Sequence, residues 1–358
     1  MWQEDKCIRT FIGANAPRGA SAHRTTLYDG ENTDRVILIK GGAGNGKSTL
    51  MGRVAAAAEA RGWEVERVYC PSDPKSLDGI VCPEGRFAMV DATPPHVWEP
   101  EAHCLPEEYL SLSPWVSRDV REKRAEITEK TEELKKCRRE ADKCISAAAE
   151  ADSELSCEAL TFASTGKLSG MGRSLGEKYL PKGSALPGMG AKRRFLSALA
   201  PGGIKTFLHT PEALCGGEGR MLCYGDSLGL SPFFLGGFCE TAEKRGFSLW
   251  QFFDPLVPSR LVGVCVREAG LCLMPEEFGG ESVADLGEAF SPADREEMGA
   301  RPEVLTAVKT ALLTRAGEAL GQCLGLHDEI EALYRPYTDF AGLNALGDRL
   351  CAELTGEK

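Results

Sequence analysis

The sequence predicts an α/β protein of two tandem domains, each a three-layer unit around a mostly parallel sheet, with long helical arms and a degenerate second copy. Three observations carry this. A strand, a glycine-rich loop and a helix succeed one another over 36–61. A block near the start recurs in the second half. A seven-residue apolar period runs through 116–160. The chain has 358 residues, room for two domains at roughly 150 residues each.

The first element is Val36-Ile-Leu-Ile-Lys40, a β-branched run of the kind buried in a parallel sheet. Gly41-Gly42-Ala43-Gly44-Asn45-Gly46-Lys47-Ser48 follows and fits G-x-x-x-x-G-K-[ST] at every fixed position. A helix is expected from Thr49 to Arg61, stopped by Gly62, and the next strand over Trp63–Cys70. This is the context of a phosphate-binding P-loop. Glycines let backbone N–H groups converge on phosphate oxygens. The helix N-terminus adds partial positive charge. Lys47 is the expected ligand of the terminal phosphates, and Ser48 of Mg²⁺. A dinucleotide fingerprint G-x-G-x-x-G fails, because its third glycine falls on Lys47.

The run Phe87-Ala-Met-Val-Asp91 reads as a strand ending in the acid that supports the Mg²⁺ water shell. The next residue is Ala92, where many P-loop ATPases carry the glutamate that activates water. Candidates for that task lie in two polar clusters, Ser72–Gly79 after the second strand and Thr93–His96 after the acid. Ligands of open α/β sheets bind at such strand ends. Asp73, Asp78 and His96 are therefore expected to position water, contact substrate or sense nucleotide. Turn chemistry is the plainer role for the same residues.

The repeat sets Arg193-Arg-Phe-Leu-Ser-Ala-Leu-Ala-Pro-Gly-Gly203 against Arg9-Thr-Phe-Ile-Gly-Ala-Asn-Ala-Pro-Arg-Gly19, so 203 answers to 19 at an offset of 184. The offset recurs for Arg61-Gly-Trp63 with Arg245-Gly-Phe247, and for Leu77-Asp-Gly79 with Leu261-Val-Gly263. The second copy lacks the chemistry. Leu230-Ser231-Pro232 stands for Gly46-Lys47-Ser48, Pro275 for Asp91, and Val257 and Val262 for Asp73 and Asp78. Its helix (233–245) and strands (220–224, 247–253, 262–266) are expected to survive.

The chain resembles bacterial proteins with a duplicated P-loop domain that are usually labelled only as hypothetical ATPases. The resemblance rests on 41–49, on Cys70-Pro-Ser-Asp-Pro-Lys-Ser-Leu-Asp-Gly79 and on Asp91-Ala-Thr-Pro-Pro-His96, and extends to His327-Asp-Glu-Ile-Glu331 and Tyr337-Thr-Asp-Phe340. It implies ATP binding and carries no settled reaction. Members often keep the loop in both halves. This chain departs from that, so one nucleotide site is expected.

The expected organisation is a P-loop domain over 1–115, a helical arm over 116–163, a flexible glycine-rich linker over 164–192, a degenerate domain over 193–290 and a helical region over 291–358. In the arm Val120, Ile127, Leu134, Ala141, Ala148 and Leu155 recur every seven residues. An antiparallel arm packed on the second domain fits this thin seam. The linker holds seven glycines, and a basic lid over the nucleotide is the alternative reading. His327 and Glu331 share a helix face with no third ligand in view, so a surface pair is expected there.

Lys and Arg number 42 against 53 Asp and Glu, a formal net charge of −11. Broad nucleic-acid binding is therefore not expected. No apolar run reaches the roughly 18 residues of a membrane span, and the acidic start Met1–Lys6 is not a signal peptide. A cytoplasmic protein is expected. The 14 cysteines form no C-x-x-C pair and lie mostly in apolar runs, which predicts buried, reduced thiols. The functional expectation is an ATP- and Mg²⁺-binding, slow ATPase with one site. The alternatives are a small-molecule kinase using Asp73 or Asp78, and a nucleotide-dependent switch or scaffold.

Overall fold

The computed structural model describes residues 7–17, 19–94, 97–100, 105–182, 190–216 and 219–356. The first half runs β1 (Ile8–Phe11), the hairpin β2 (Gly13–Ala16) and β3 (Gly19–Ala22), β4 (Arg35–Lys40), α1 (Lys47–Ala60), β5 (Glu66–Tyr69), β6 (Leu77–Cys82), β7 (Phe87–Asp91) and β8 (Glu107–Ser111). Helices α2 (Arg124–Phe162) and α3 (Thr165–Tyr179) follow. The second half runs β9 (Ala191–Arg194), β10 (Ser197–Ala200), β11 (Gly203–Thr206), α4 (Thr210–Cys215), β12 (Arg220–Gly225), α5 (Ser231–Lys244), β13 (Leu249–Phe253), β14 (Leu261–Val266), β15 (Leu271–Pro275) and β16 (Glu281–Asp285). Three helices end the chain: α6 (Pro292–Met298), α7 (Arg301–Tyr334) and α8 (Phe340–Thr355).

The fold is mixed α/β with two six-stranded, mostly parallel sheets. The first has the order β1-β5-β6-β7-β4-β8, and the second β9-β13-β14-β15-β12-β16. Only β6 and β14 run against their neighbours. Strand for strand, the two orders coincide. The sheets meet where Phe11 and Phe195 exchange backbone hydrogen bonds of 2.8 and 2.9 Å. Beside that bridge Arg194 of β9, fully buried, donates to both oxygens of Glu66 on β5, at 2.5 and 2.9 Å. Burial opposes the Glu66 charge, yet Arg194 holds its carboxyl below the usual range.

The helices cross between the halves. α2 and α7 lie antiparallel along each other, joined by ion pairs whose numbers run in opposite directions: Lys130–Glu329, Glu140–Arg315, Asp152–Lys309 and Glu158–Arg301. The heptad seam is buried at Ala141, Ala148 and Leu155; Ala141 and Ala148 share a cluster with Ala316, Ala319 and Leu320 of α7. The arm packs on the second half, Ala159 sharing a cluster with Leu222 and Phe234 and Asp152 pairing with Arg260, and it also pairs with α7 of the C-terminal region; its α-helix starts at Arg124 rather than near 116. α8 then returns to the first half. Its Leu343, Leu346 and Leu350 share a core with Leu50, Met51 and Val54 of α1. So 291–358 is not a separate helical region: its last helix completes the first sheet unit.

The expected flexible linker over 164–192 is corrected over 165–179, while 183–189 lie outside the described residues. Residues 165–179 form α3, capped by Ser164, with Leu168 fully buried against α5. Its glycines are there for contact rather than flexibility. A Cβ on Gly172 would overlap the Phe234 carbonyl oxygen, and one on Gly237 the Ser169 carbonyl oxygen. Only bare backbone lets α3 and α5 approach so closely. The lid alternative fails for the same reason over 165–179.

The expectation of reduced thiols fails at one place. Cys265 and Cys272 form a disulfide between paired residues of β14 and β15. No C-x-x-C spacing announces it, because strand register brings the two together. Among the described residues no helix is long and apolar enough to cross a membrane.

We predict that Gly172→Leu lowers stability by about 3 kcal/mol, by overpacking a backbone contact. Gly170→Ala, with nothing within 4 Å of the added methyl, should raise it by roughly 0.5–1 kcal/mol. Urea midpoints at unchanged slope measure both.

Candidate functional site

The site grows from the centre of the first sheet. β4 lies between β7 and β8, and Val36 to Ile39 are buried on both faces. The chain leaves β4 through the glycine loop and enters α1 at Lys47. Gly44 (φ 69°) and Gly46 (φ 76°) are left-handed, a conformation that costs a side chain roughly 1–2 kcal/mol. Asn45 is buried and spans the loop. Its amide nitrogen donates to Ala43 O (3.0 Å) and its oxygen accepts from Gly42 N–H (3.3 Å). Gly46 caps α1 without a side-chain acceptor, so among the described residues no capping side chain takes the N–H groups of the first turn.

Lys47 folds back over this loop. Its Nζ donates to Gly41 O (2.8 Å) and Gly42 O (2.9 Å) and stands 3.6 Å from Asp91 Oδ2. Asp91 ends β7, in register with Ile39 of β4. The Ser48 hydroxyl accepts from Leu77 N–H of β6 (2.9 Å), leaving a second lone pair for a cation. Thr49 is exposed. The loop glycines, Lys47, Ser48 and Asp91 thus converge at the carboxyl end of neighbouring strands.

Thr93 emerges as a structural tie. Its N–H donates to Asp91 Oδ1 (2.8 Å), and its hydroxyl both donates to Gly41 O (3.0 Å) and accepts from Gly41 N–H (3.2 Å). It binds the acid strand to the base of the loop. The sequence offered only its place two residues after Asp91. His96 lies outside the described residues.

Asp73 takes the plainer role. Its side chain accepts from Lys75 N–H (3.2 Å) and its carbonyl from Ser76 N–H (2.8 Å), which closes a turn. Asp78 is not in a turn at all. It is buried within β6, beside Cys70. Burial pushes the Cys70 thiol well up, and the Asp78 charge adds to the shift. Asp-Gly at 78–79 reads as a turn, but the following Ile-Val-Cys makes it an interior strand.

One residue of the site comes from the far end of the chain. Glu331 Oε1 on α7 accepts from Gly44 N–H at 2.9 Å. A Cβ on Gly44 would meet Glu331 Cβ at 3.2 Å and Cα at 3.3 Å, so α7 rests on the loop itself. The pair with His327 exists, Nδ1 to Oε1 3.7 Å. Asp328 also brings an oxygen within 4.8 Å of both, a third ligand that the spacing did not suggest. Glu331 is thus more than half of a surface pair.

The corresponding loop of the second half is filled by its own side chain. Asp226 Oδ1 accepts from Leu228 N–H (3.2 Å) and Leu230 N–H (3.0 Å), and Oδ2 from Ser231 N–H (2.7 Å). Gly229 (φ 74°), one residue past the counterpart of Gly44, is the left-handed glycine of this loop, and α2 presses on it through Ser156. Both loops present N–H donors at a helix start. The first has a lysine, a hydroxyl and a carboxylate around them; the second has a built-in anion, Pro232 and Pro275.

The donor set of the first loop suits a polyphosphate with a hard divalent cation: convergent N–H groups and an ammonium for phosphate oxygens, a hydroxyl and a carboxylate for the metal. We predict that Asp226→Ala costs about 1–2 kcal/mol, the loss of a helix-start acceptor, read from thermal unfolding. It should create no nucleotide site, since no lysine stands at that loop. No protein-family model matches the chain, and no curated protein or solved structure does.

Proposed function

We propose that the first half is a P-loop nucleotide-binding unit that takes ATP with Mg²⁺, and that the second half is a copy without nucleotide. The observation that carries this reading is the loop itself. Left-handed Gly44 and Gly46 aim an uncapped helix start at one point, and Lys47 and Asp91 meet beside it at 3.6 Å. The coincident strand orders and the offset of 184 support the duplication.

In this reading the N–H groups and Lys47 hold phosphate oxygens, Lys47 exchanging its bonds to Gly41 O and Gly42 O for them. Ser48 offers its free lone pair to the metal, and Asp91 holds the metal's water shell. Bound Mg²⁺ would supply charge neutralisation between the terminal phosphates. Ala92 is fully buried, its N–H on Ile39 O at 2.9 Å, and provides no base. Positioning and base groups typically contribute on the order of 10²–10⁴-fold in rate, so hydrolysis by the isolated chain is slow. Asp73 and Asp78 are used in a turn and a buried strand, which does not favour the kinase reading. The switch reading has one observation behind it: α7, half of the long helical pair, touches the loop at Gly44.

Lys47→Ala should nearly abolish Mg-ATP binding by calorimetry. Asp91→Ala should reduce Mg²⁺-dependent phosphate release at least tenfold more than it reduces ATP affinity. Unchanged affinity in folded Lys47→Ala would refute the assignment.

A further inference from the structure

The contact between Glu331 and Gly44 places a carboxylate on an N–H of the loop read above as a phosphate cradle. We propose that Glu331 is a displaceable internal competitor, a latch that must leave Gly44 before a triphosphate can seat. The proposal rests on the P-loop reading and adds to it the residue that sets nucleotide affinity.

Three features support it. The bond is direct, 2.9 Å from Glu331 Oε1 to Gly44 N, and a carboxylate and a phosphate oxygen repel each other at one donor. The position is fixed by packing rather than by a free side chain. The Cα and Cβ of Glu331 lie against Gly44, so the carboxylate leaves by side-chain rotation while α7 stays docked. One turn earlier His327 Nδ1 stands 3.7 Å from Oε1 and offers an alternative partner on the same face.

The second loop shows the same device made permanent. Asp226 sits inside its loop and takes three N–H groups. Glu331 comes from a distant helix, takes one, and its side chain is 43% exposed. One contact of that kind is reversible where three are not.

The test is calorimetric titration of Mg-ATP into the full chain, Glu331→Gln, Lys47→Ala and the double variant. Glutamine keeps the shape and removes the charge, and a gain in affinity cannot come from misfolding. Glu331→Gln should bind Mg-ATP about tenfold more tightly or better, the usual weight of a charge-assisted bond, and Lys47→Ala should remove binding in either background. Equal or weaker binding by Glu331→Gln, at a matched thermal midpoint and with Lys47 still required, overturns the latch and leaves the P-loop reading standing. Absence of binding in both the natural chain and Glu331→Gln, or binding indifferent to Lys47, overturns both.

Discussion

The antiparallel pairing of α2 with α7 is the constraint on which the arrangement depends. The charges of the two helices are matched along the pair from Lys130–Glu329 to Glu158–Arg301. Because the pair crosses, the chain's last helix completes the first core, and α3 completes the second. The same crossing lays α7 on Gly44 and α2 on Gly229. Neither glycine loop is built from its own half alone.

The two loops show how one backbone geometry can meet its electrostatic demand in two ways. A helix start gathers roughly half a positive charge, and its first N–H groups need acceptors. In the second half Asp226 supplies three of these acceptor contacts within the loop. In the first half Gly46 supplies none, and Lys47 adds a full charge. Its Nζ is shared between two loop carbonyls and Asp91. Glu331 covers one donor from outside. The first loop is thus the more positive and the less satisfied of the two, which is the condition for taking an external polyphosphate.

Much of this was legible in the residues. The loop, α1 and β7 follow from β-branched runs, the G-x-x-x-x-G-K-[ST] spacing and the terminal acid. The offset of 184 anticipated β12, α5, β13 and β14 within a few residues. What was not legible depends on distance in sequence. Glycine in 164–176 signals flexibility when read locally, and only the approach of α5 shows that Gly172 and Gly176 are packed. The Cys265–Cys272 bond depends on strand register. Glu331 reaches Gly44 across 287 positions, and its spacing from His327 shows only a shared helix face. The turn reading of Asp78 gave way for a local reason: Asp-Gly favours turns, and burial between β5 and β7 overrode that preference.

If the first loop takes a nucleotide and Asp226 closes the second, the stoichiometry of Mg-ATP on the full-length chain by equilibrium titration is one nucleotide per chain, lost on Lys47→Ala and retained on Asp226→Ala. A stoichiometry of two, or one site that survives Lys47→Ala, would contradict this reading.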